Sequence, residues 1–166
     1  MHALQKITPC LWFDSQAEEA VEFYTTIFRN SKVTAVARYG DQGQEVHGRQ
    51  PGSVMTIAFE LDGQTFTALN GGPLFQFSEA VSLQVNCESQ DEVDYFWDRL
   101  SADGPPEAQQ CGWLKDKFGL SWQIVPTVLP QMMSDRDPAR TGRVMAALLQ
   151  MKKLDIGQLK KAYAEA

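Results

Sequence analysis

The chain contains one pattern twice. The stretch "DSQAEEAVEFY" begins at Asp14 and "ESQDEVDYFW" at Glu88; in each, Ser-Gln is followed by acidic residues and then aromatics. Ser15 with Glu18, and Ser89 with Glu92, match the Ser-x-x-Glu capping box, in which a hydroxyl and a carboxylate satisfy helix-start amides reciprocally. Apolar stripes at helical spacing follow: Ala17, Ala20, Val21, Tyr24, Ile27 and Phe28 in the first copy, Val93, Phe96, Trp97 and Leu100 in the second. A chain that repeats a unit this closely is expected to fold as two similar modules.

The strands repeat too. Ile7, Leu11 and Phe13 alternate before the first helix, and Val81, Leu83 and Val85 before the second. The same offset pairs Thr8 with Ser82 and Cys10 with Gln84. Later, "GQTFTAL" from Gly63 resembles "GLSWQIV" from Gly119, which matches Phe66 with Trp122 and Thr67 with Gln123. Between helix and final strand, "KVTAVARY" and "VMTIAFEL" read as two strands in the first half. The second half offers residues near 107–110 and then "CGWLKD". Each half therefore reads strand, helix, strand, strand, strand. The segment "NGGP", residues 70–73, lacks the strand-to-helix context of a phosphate-binding loop and is taken as the linker.

After Pro126 the pattern changes. Asp137 is a helix cap with Pro138 at the first helical position, and Val144, Leu148 and Met151 form a stripe. A second helix carries Ile156, Leu159 and Tyr163. The expected organisation is module one over residues 1–73 and module two over 74–127, together one domain 1–127, then a helical extension over 128–166. The extension is expected to cover an apolar sheet surface or a partner subunit.

Composition limits function. A net charge of −6 argues against nucleic acid or an anionic membrane as partner. No apolar run reaches membrane-spanning length, and "MHALQKITP" lacks a signal-peptide core, so a cytoplasmic location is expected. Three cysteines without a Cys-x-x-Cys pair suggest reduced thiols. His2 and His47 are the only histidines, which excludes a histidine-rich metal site.

The segments "ITPCLWFDSQAEEAVEFYTTIF", "GSVMTIAFELDGQTFTALNGGP", "CGWLKDKFGLSWQIVP" and "RVMAALLQMKKLDI" resemble the vicinal oxygen chelate superfamily, also called the glyoxalase/bleomycin-resistance/dioxygenase fold, in its PhnB-like branch. That branch is often labelled demethylubiquinone methyltransferase-like. The resemblance covers nearly the whole chain. It implies an α+β fold of two βαβββ modules forming a pair of half-barrels around a cavity, plus the C-terminal helices. It also implies a homodimer. In metal-dependent members, the first and last strands of each unit supply histidines and glutamates as ligands. The corresponding positions here are Thr8, Thr67, Ser82 and Gln123, with Gln123 where such members place a glutamate. A slip of one residue in the strand holding Thr67 would turn Ala68 and Asn70 inward instead.

Hydroxyl and amide oxygens are poor ligands for divalent transition metals, so no metal and no other cofactor is expected. They suit hydrogen bonds to a polar organic ligand. Cys10 and Trp12 share strand parity with Thr8, and Gln84 shares it with Ser82. Cys111 and Trp113 lie on the strand before Gln123. Trp12 and Trp113 offer apolar walls with an indole N–H left to donate. In the irregular loop 40–53, His47 and Arg49 could close over an anionic ligand, Arg49 being the stronger candidate. No strand–Gly-x-Gly–helix unit is present for a methyl donor. Three functions remain open: a metal-free small-molecule binder, a metal-free enzyme using polar groups or a cysteine, and a structural dimer with a closed cavity.

Overall fold

The computed structural model describes residues 5–165. It divides into two compact units, one running to Gln76 and the other starting at Phe77.

The first unit holds β1 (Cys10–Phe13), α1 (Ala17–Ile27), β2 (Lys32–Arg38), the single turn α2 (Gln44–His47), β3 (Val54–Leu61) and β4 (Gln64–Asn70). The sheet order is β1-β4-β3-β2, with β1 parallel to β4 and the other pairs antiparallel. Strand β1 starts later than alternation predicts, and Ile7 is exposed. Pro9 has no N–H to give the ladder, although its carbonyl accepts from Thr67 N at 2.9 Å. The β3–β4 turn places Asp62 and Gly63 at φ 47° and 76°, the positive values that a two-residue type I′ hairpin requires.

One face of this sheet meets α1. Leu11, Phe13, Phe59, Phe66 and Ala68 are buried there with Ala17, Ala20, Val21, Tyr24 and Ile27 of the helix. The expected Ser15–Glu18 box does not form. The helix starts one residue later, and its side-chain cap comes from the end of the neighbouring strand β4: Asn70 Oδ1 accepts from Ala17 N at 2.9 Å. Asn70 Nδ2 donates to Glu18 Oε2 at 3.0 Å and to Val54 O at 3.1 Å. Asn70, the last residue of β4, is thus the keystone of the first unit.

The second unit holds β5 (Ser82–Cys87), α3 (Gln90–Leu100), a 3-10 turn (Pro106–Ala108), β6 (Trp113–Lys115), β7 (Ser121–Pro126), α4 (Val128–Met133), α5 (Pro138–Leu148) and α6 (Ile156–Ala164). Here the sequence-predicted cap is present, since Ser89 Oγ accepts from Glu92 N at 3.2 Å. Glu92 folds back to Glu88 N at 2.7 Å, one residue before the cap. The sheet has three strands in the order β5-β7-β6. The strand expected near 107–110 does not form, because Pro106 opens a 3-10 turn that takes in Glu107 and Ala108. What remains is a bridge between Gln110 and Trp113 around a tight turn, with Cys111 at φ 52° and Gly112 at 85°.

The C-terminal helices build their own apolar cluster from Leu129, Met132, Val144, Met151, Leu154 and Leu159, with Val125 of β7 packed against it. The helix α4 has no clear signal in the sequence, whereas Asp137 caps α5 as expected, accepting from Ala139 N at 2.9 Å. The segment between α5 and α6 straps back onto the sheet. Cys111 N and Gly112 N each donate at 2.8 Å, to Met151 O and Lys152 O. Gln90 holds the end of the strap that leads into α6, donating to Leu154 O at 3.1 Å and accepting from Ile156 N at 2.9 Å.

Candidate functional site

In the second unit the strand register sorts the polar residues onto the face away from α3. Leu114, Trp122 and Ile124 point to the helix side and are buried. Opposite them run two cross-strand rows. The first is Ser82, Ser121 and Lys115; the second is Gln84, Gln123 and Trp113. Gln123 is half-buried in the middle and donates through Nε2 to Ser82 Oγ at 2.8 Å. Gln84 is exposed and donates to Asn86 Oδ1 at 2.8 Å. Ser121 is only 1% exposed, and its Oγ has no hydrogen-bond partner. Lys115 pairs with Glu79. Alternation puts Ser121 on this face, but nothing in the sequence shows that its hydroxyl is orphaned, and Glu79 carries no signal at all.

In the first unit, Cys10 pairs with Thr67 and Trp12 with Leu69, on the face away from α1. This register puts Thr67, and not Ala68 or Asn70, beside Cys10. Thr8 is exposed and lies before the strand, on the far side of Pro9. The indole of Trp12 is not left to donate. Its Nε1 donates to Gly72 O at 2.8 Å and its ring meets Phe75 edge-on at 4.8 Å. A Cβ on Gly71 would fall 2.3 Å from that ring, so only glycine fits there.

Arg49 is also committed. Its guanidinium donates to the Asp14 backbone carbonyl and lies 3.1 Å from Asp14 Oδ1. His47 Nδ1 accepts from Arg49 N at 3.0 Å, and the His47 ring lies 4.5 Å from that of Tyr39. The loop that could have closed on an anion is therefore tied to the end of β1.

Two of the thiols, Cys10 and Cys87, are poor nucleophiles. Partial burial pushes the Cys10 thiol up, and burial followed by the Glu92 charge pushes Cys87 up to about 12. Cys111 is half-buried, with Gln110 Nε2 3.3 Å from its sulfur. Among the described residues, no group of three His, Cys, Asp or Glu side chains could hold a metal ion; His2 lies outside them. The donors at Thr8, Thr67, Ser82 and Gln123 are neutral oxygens and an amide, which do not fit a transition metal. No helix among the described residues is long and apolar enough to cross a membrane.

The sequence model of the family described as 3-demethylubiquinone-9 3-methyltransferase matches residues 5–125. A Bacillus cereus structure, described as a putative 3-demethylubiquinone-9 3-methyltransferase, PhnB protein, is 35% identical with a TM-score of 0.63. That match covers 74% of this chain and 100% of the other. Two more distant structures share the fold alone. The protein PA1353 from Pseudomonas aeruginosa is 20% identical with a TM-score of 0.55, covering 75% of this chain and 98% of that one. The fosfomycin resistance protein FosX from Listeria monocytogenes is 15% identical with a TM-score of 0.54, covering 81% and 99%. No curated protein matches the chain. With its βαβββ first unit, its shorter second unit and these matches, the chain belongs to the PhnB-like family, described as 3-demethylubiquinone-9 3-methyltransferase, of the vicinal oxygen chelate superfamily.

Proposed function

We propose that this protein is a metal-independent binder of a small polar or aromatic molecule, acting as a homodimer, with its ligand held by the Gln123 face. The observation that carries this is the contact of Gln123 Nε2 with Ser82 Oγ at 2.8 Å on a half-buried sheet face. Two neutral groups stand together where metal-dependent relatives are expected to carry ligands. They can give and take hydrogen bonds, while Trp113 beside Gln123 supplies an aromatic wall. In the first unit, Cys10, Trp12 and Thr67 form the corresponding face.

Methyl transfer, which the family description names, finds little support. The turns from β1 to α1 and from β5 to α3 contain no glycine, and neither sheet is doubly wound in the way that holds a methyl donor at a glycine-rich turn. The raised thiols likewise weigh against cysteine chemistry at Cys10 and Cys87.

Elemental analysis of protein purified without added metal tests the first half of the proposal: zinc, nickel and manganese should fall far below one equivalent per chain. A thermal-shift panel of small metabolites tests the second, because a ligand preferring the native state raises its melting point. Shifts that disappear in Gln123→Leu support binding at this face. One equivalent of metal, or no ligand in the panel, overturns the proposal.

A further inference from the structure

Ser121 and Lys115 are paired residues on β7 and β6, so their side chains leave the same face of the sheet side by side. Ser82 flanks Ser121 on the other side, and its Oγ already accepts from Gln123. The Ser121 hydroxyl is buried with nothing to bond. A buried polar atom left unpaired is destabilising, and each such case in a folded protein calls for a reason.

The Lys115 side chain is only 24% exposed, and its charge is met by Glu79, whose own side chain is 65% exposed. Glu79 sits in the segment before β5, outside any strand. An ion pair with so exposed a partner is screened by water and contributes little. Parting it therefore costs little, and the carboxylate already on Lys115 shows which chemistry the ammonium accepts here. Ser121 meets almost no solvent, so a ligand reaches it only if a neighbour moves. Glu79, held to the adjacent Lys115 by an exposed ion pair, is the partner most cheaply released.

Resting on the proposed binding function, we infer that Lys115 and Ser121 form a carboxylate-recognition pair for the ligand of the Gln123 face, with Glu79 as an internal competitor. A ligand carboxylate would take the ammonium from Glu79 and accept the orphan Ser121 O–H. The ring or chain behind it would lie toward Gln123 and Trp113, in the next row. The chain carries a net charge of −6, so a local cation with a vacant donor beside it is what would let a small anion bind.

The test uses two isosteric pairs, benzoate with benzamide and 3-phenylpropanoate with 3-phenylpropanamide, titrated by NMR into the full-length protein at neutral pH. Each acid should bind about ten-fold more tightly than its amide, the ratio that one charge-assisted hydrogen bond supplies. Lys115→Met and Ser121→Ala should each erase that preference, and Glu79→Gln should tighten acid binding without changing amide binding. Ser121→Ala should also melt no lower than wild type, because it removes an unpaired hydroxyl. A lower melting point would mean that a buried water satisfies Ser121, and would overturn its role. Acids binding no better than amides, or an unaltered preference in Glu79→Gln and Lys115→Met, overturns the inference but leaves the binder in place. Failure of all four probes overturns it too, and the binder is then judged by the metabolite panel alone.

Discussion

Trp122 Nε1 donates to Asp116 Oδ2 at 2.9 Å with both residues buried. The other carboxylate oxygen accepts from Phe118 N at 2.9 Å and Leu120 N at 3.1 Å. One aspartate therefore shapes the turn into β7 and fixes the indole beneath it, which sets the strand that presents Gln123 on the opposite face. Asp116→Asn keeps the volume but replaces an acceptor with an N–H donor. It should lose about 1.5–3 kcal/mol in urea unfolding, and Trp122→Phe about 1–3 kcal/mol. A loss within about 0.5 kcal/mol of zero in both variants, as at ordinary surface sites, would refute this role.

Asn70 does for the first unit what Asp116 does for the second. Asn70→Ala removes the cap of α1 and should cost about 1–2 kcal/mol, the usual size of a lost helix cap. Asn70→Asp is the sharper variant. It keeps the acceptor for Ala17 N but turns the donor facing Glu18 and the Val54 carbonyl into an anion. It should therefore be no more stable than Asn70→Ala at neutral pH. Chemical denaturation followed by far-UV circular dichroism decides between them, and full rescue by aspartate would show that the donor side is idle.

Acid should loosen the C-terminal strap. The hydrogen bond from Lys153, and then that from Gln90, hold the Asp94 carboxyl below the usual aspartate range, with Lys153 Nζ 2.9 Å away. A depressed folded value means that stabilisation is complete above the unfolded value, about 3.9, and is lost as pH falls through the folded one. The urea midpoint should therefore drop below pH 4, and Asp94→Asn should show a shallower drop than wild type. Equal slopes would remove Asp94 from the account. The pair is half-exposed, so added salt should shrink the difference.

The proposed homodimer makes a direct prediction. The edge strand β2 leaves Val33 and Val36 about half exposed, on the side where the neighbouring Phe59 and Ile57 of β3 are buried. Light scattering at micromolar concentration should give twice 18.6 kDa. A mass that stays at one chain through dilution and concentration would refute the dimer.

Much of this fold is legible in the sequence because its signals are local. The stripes of α1 and α3, the Ser89 and Asp137 caps and the alternation around Gln123 each need only a few neighbouring residues. What the sequence misses depends on distance. The cap of α1 comes from Asn70, so no window around Ser15 could find it. Pro9 truncates β1 and leaves Thr8 outside the strand. The Pro105–Pro106 doublet, visible as letters, decides against a strand only once a turn at Cys111 and Gly112 takes its place. Arg49 looks available to a ligand until the chain folds Asp14 beside it. Ser121 becomes conspicuous only when burial is known.

The strap has a practical corollary for anyone borrowing this scaffold. The family match stops at residue 125, yet two amides of the turn beside Trp113 are satisfied only from beyond that point, by the carbonyls of Met151 and Lys152. Trimming the gene to its recognisable portion would strip those acceptors and bare the underside of Val125. A minimal version must keep the appended helices or redesign the corner they hold.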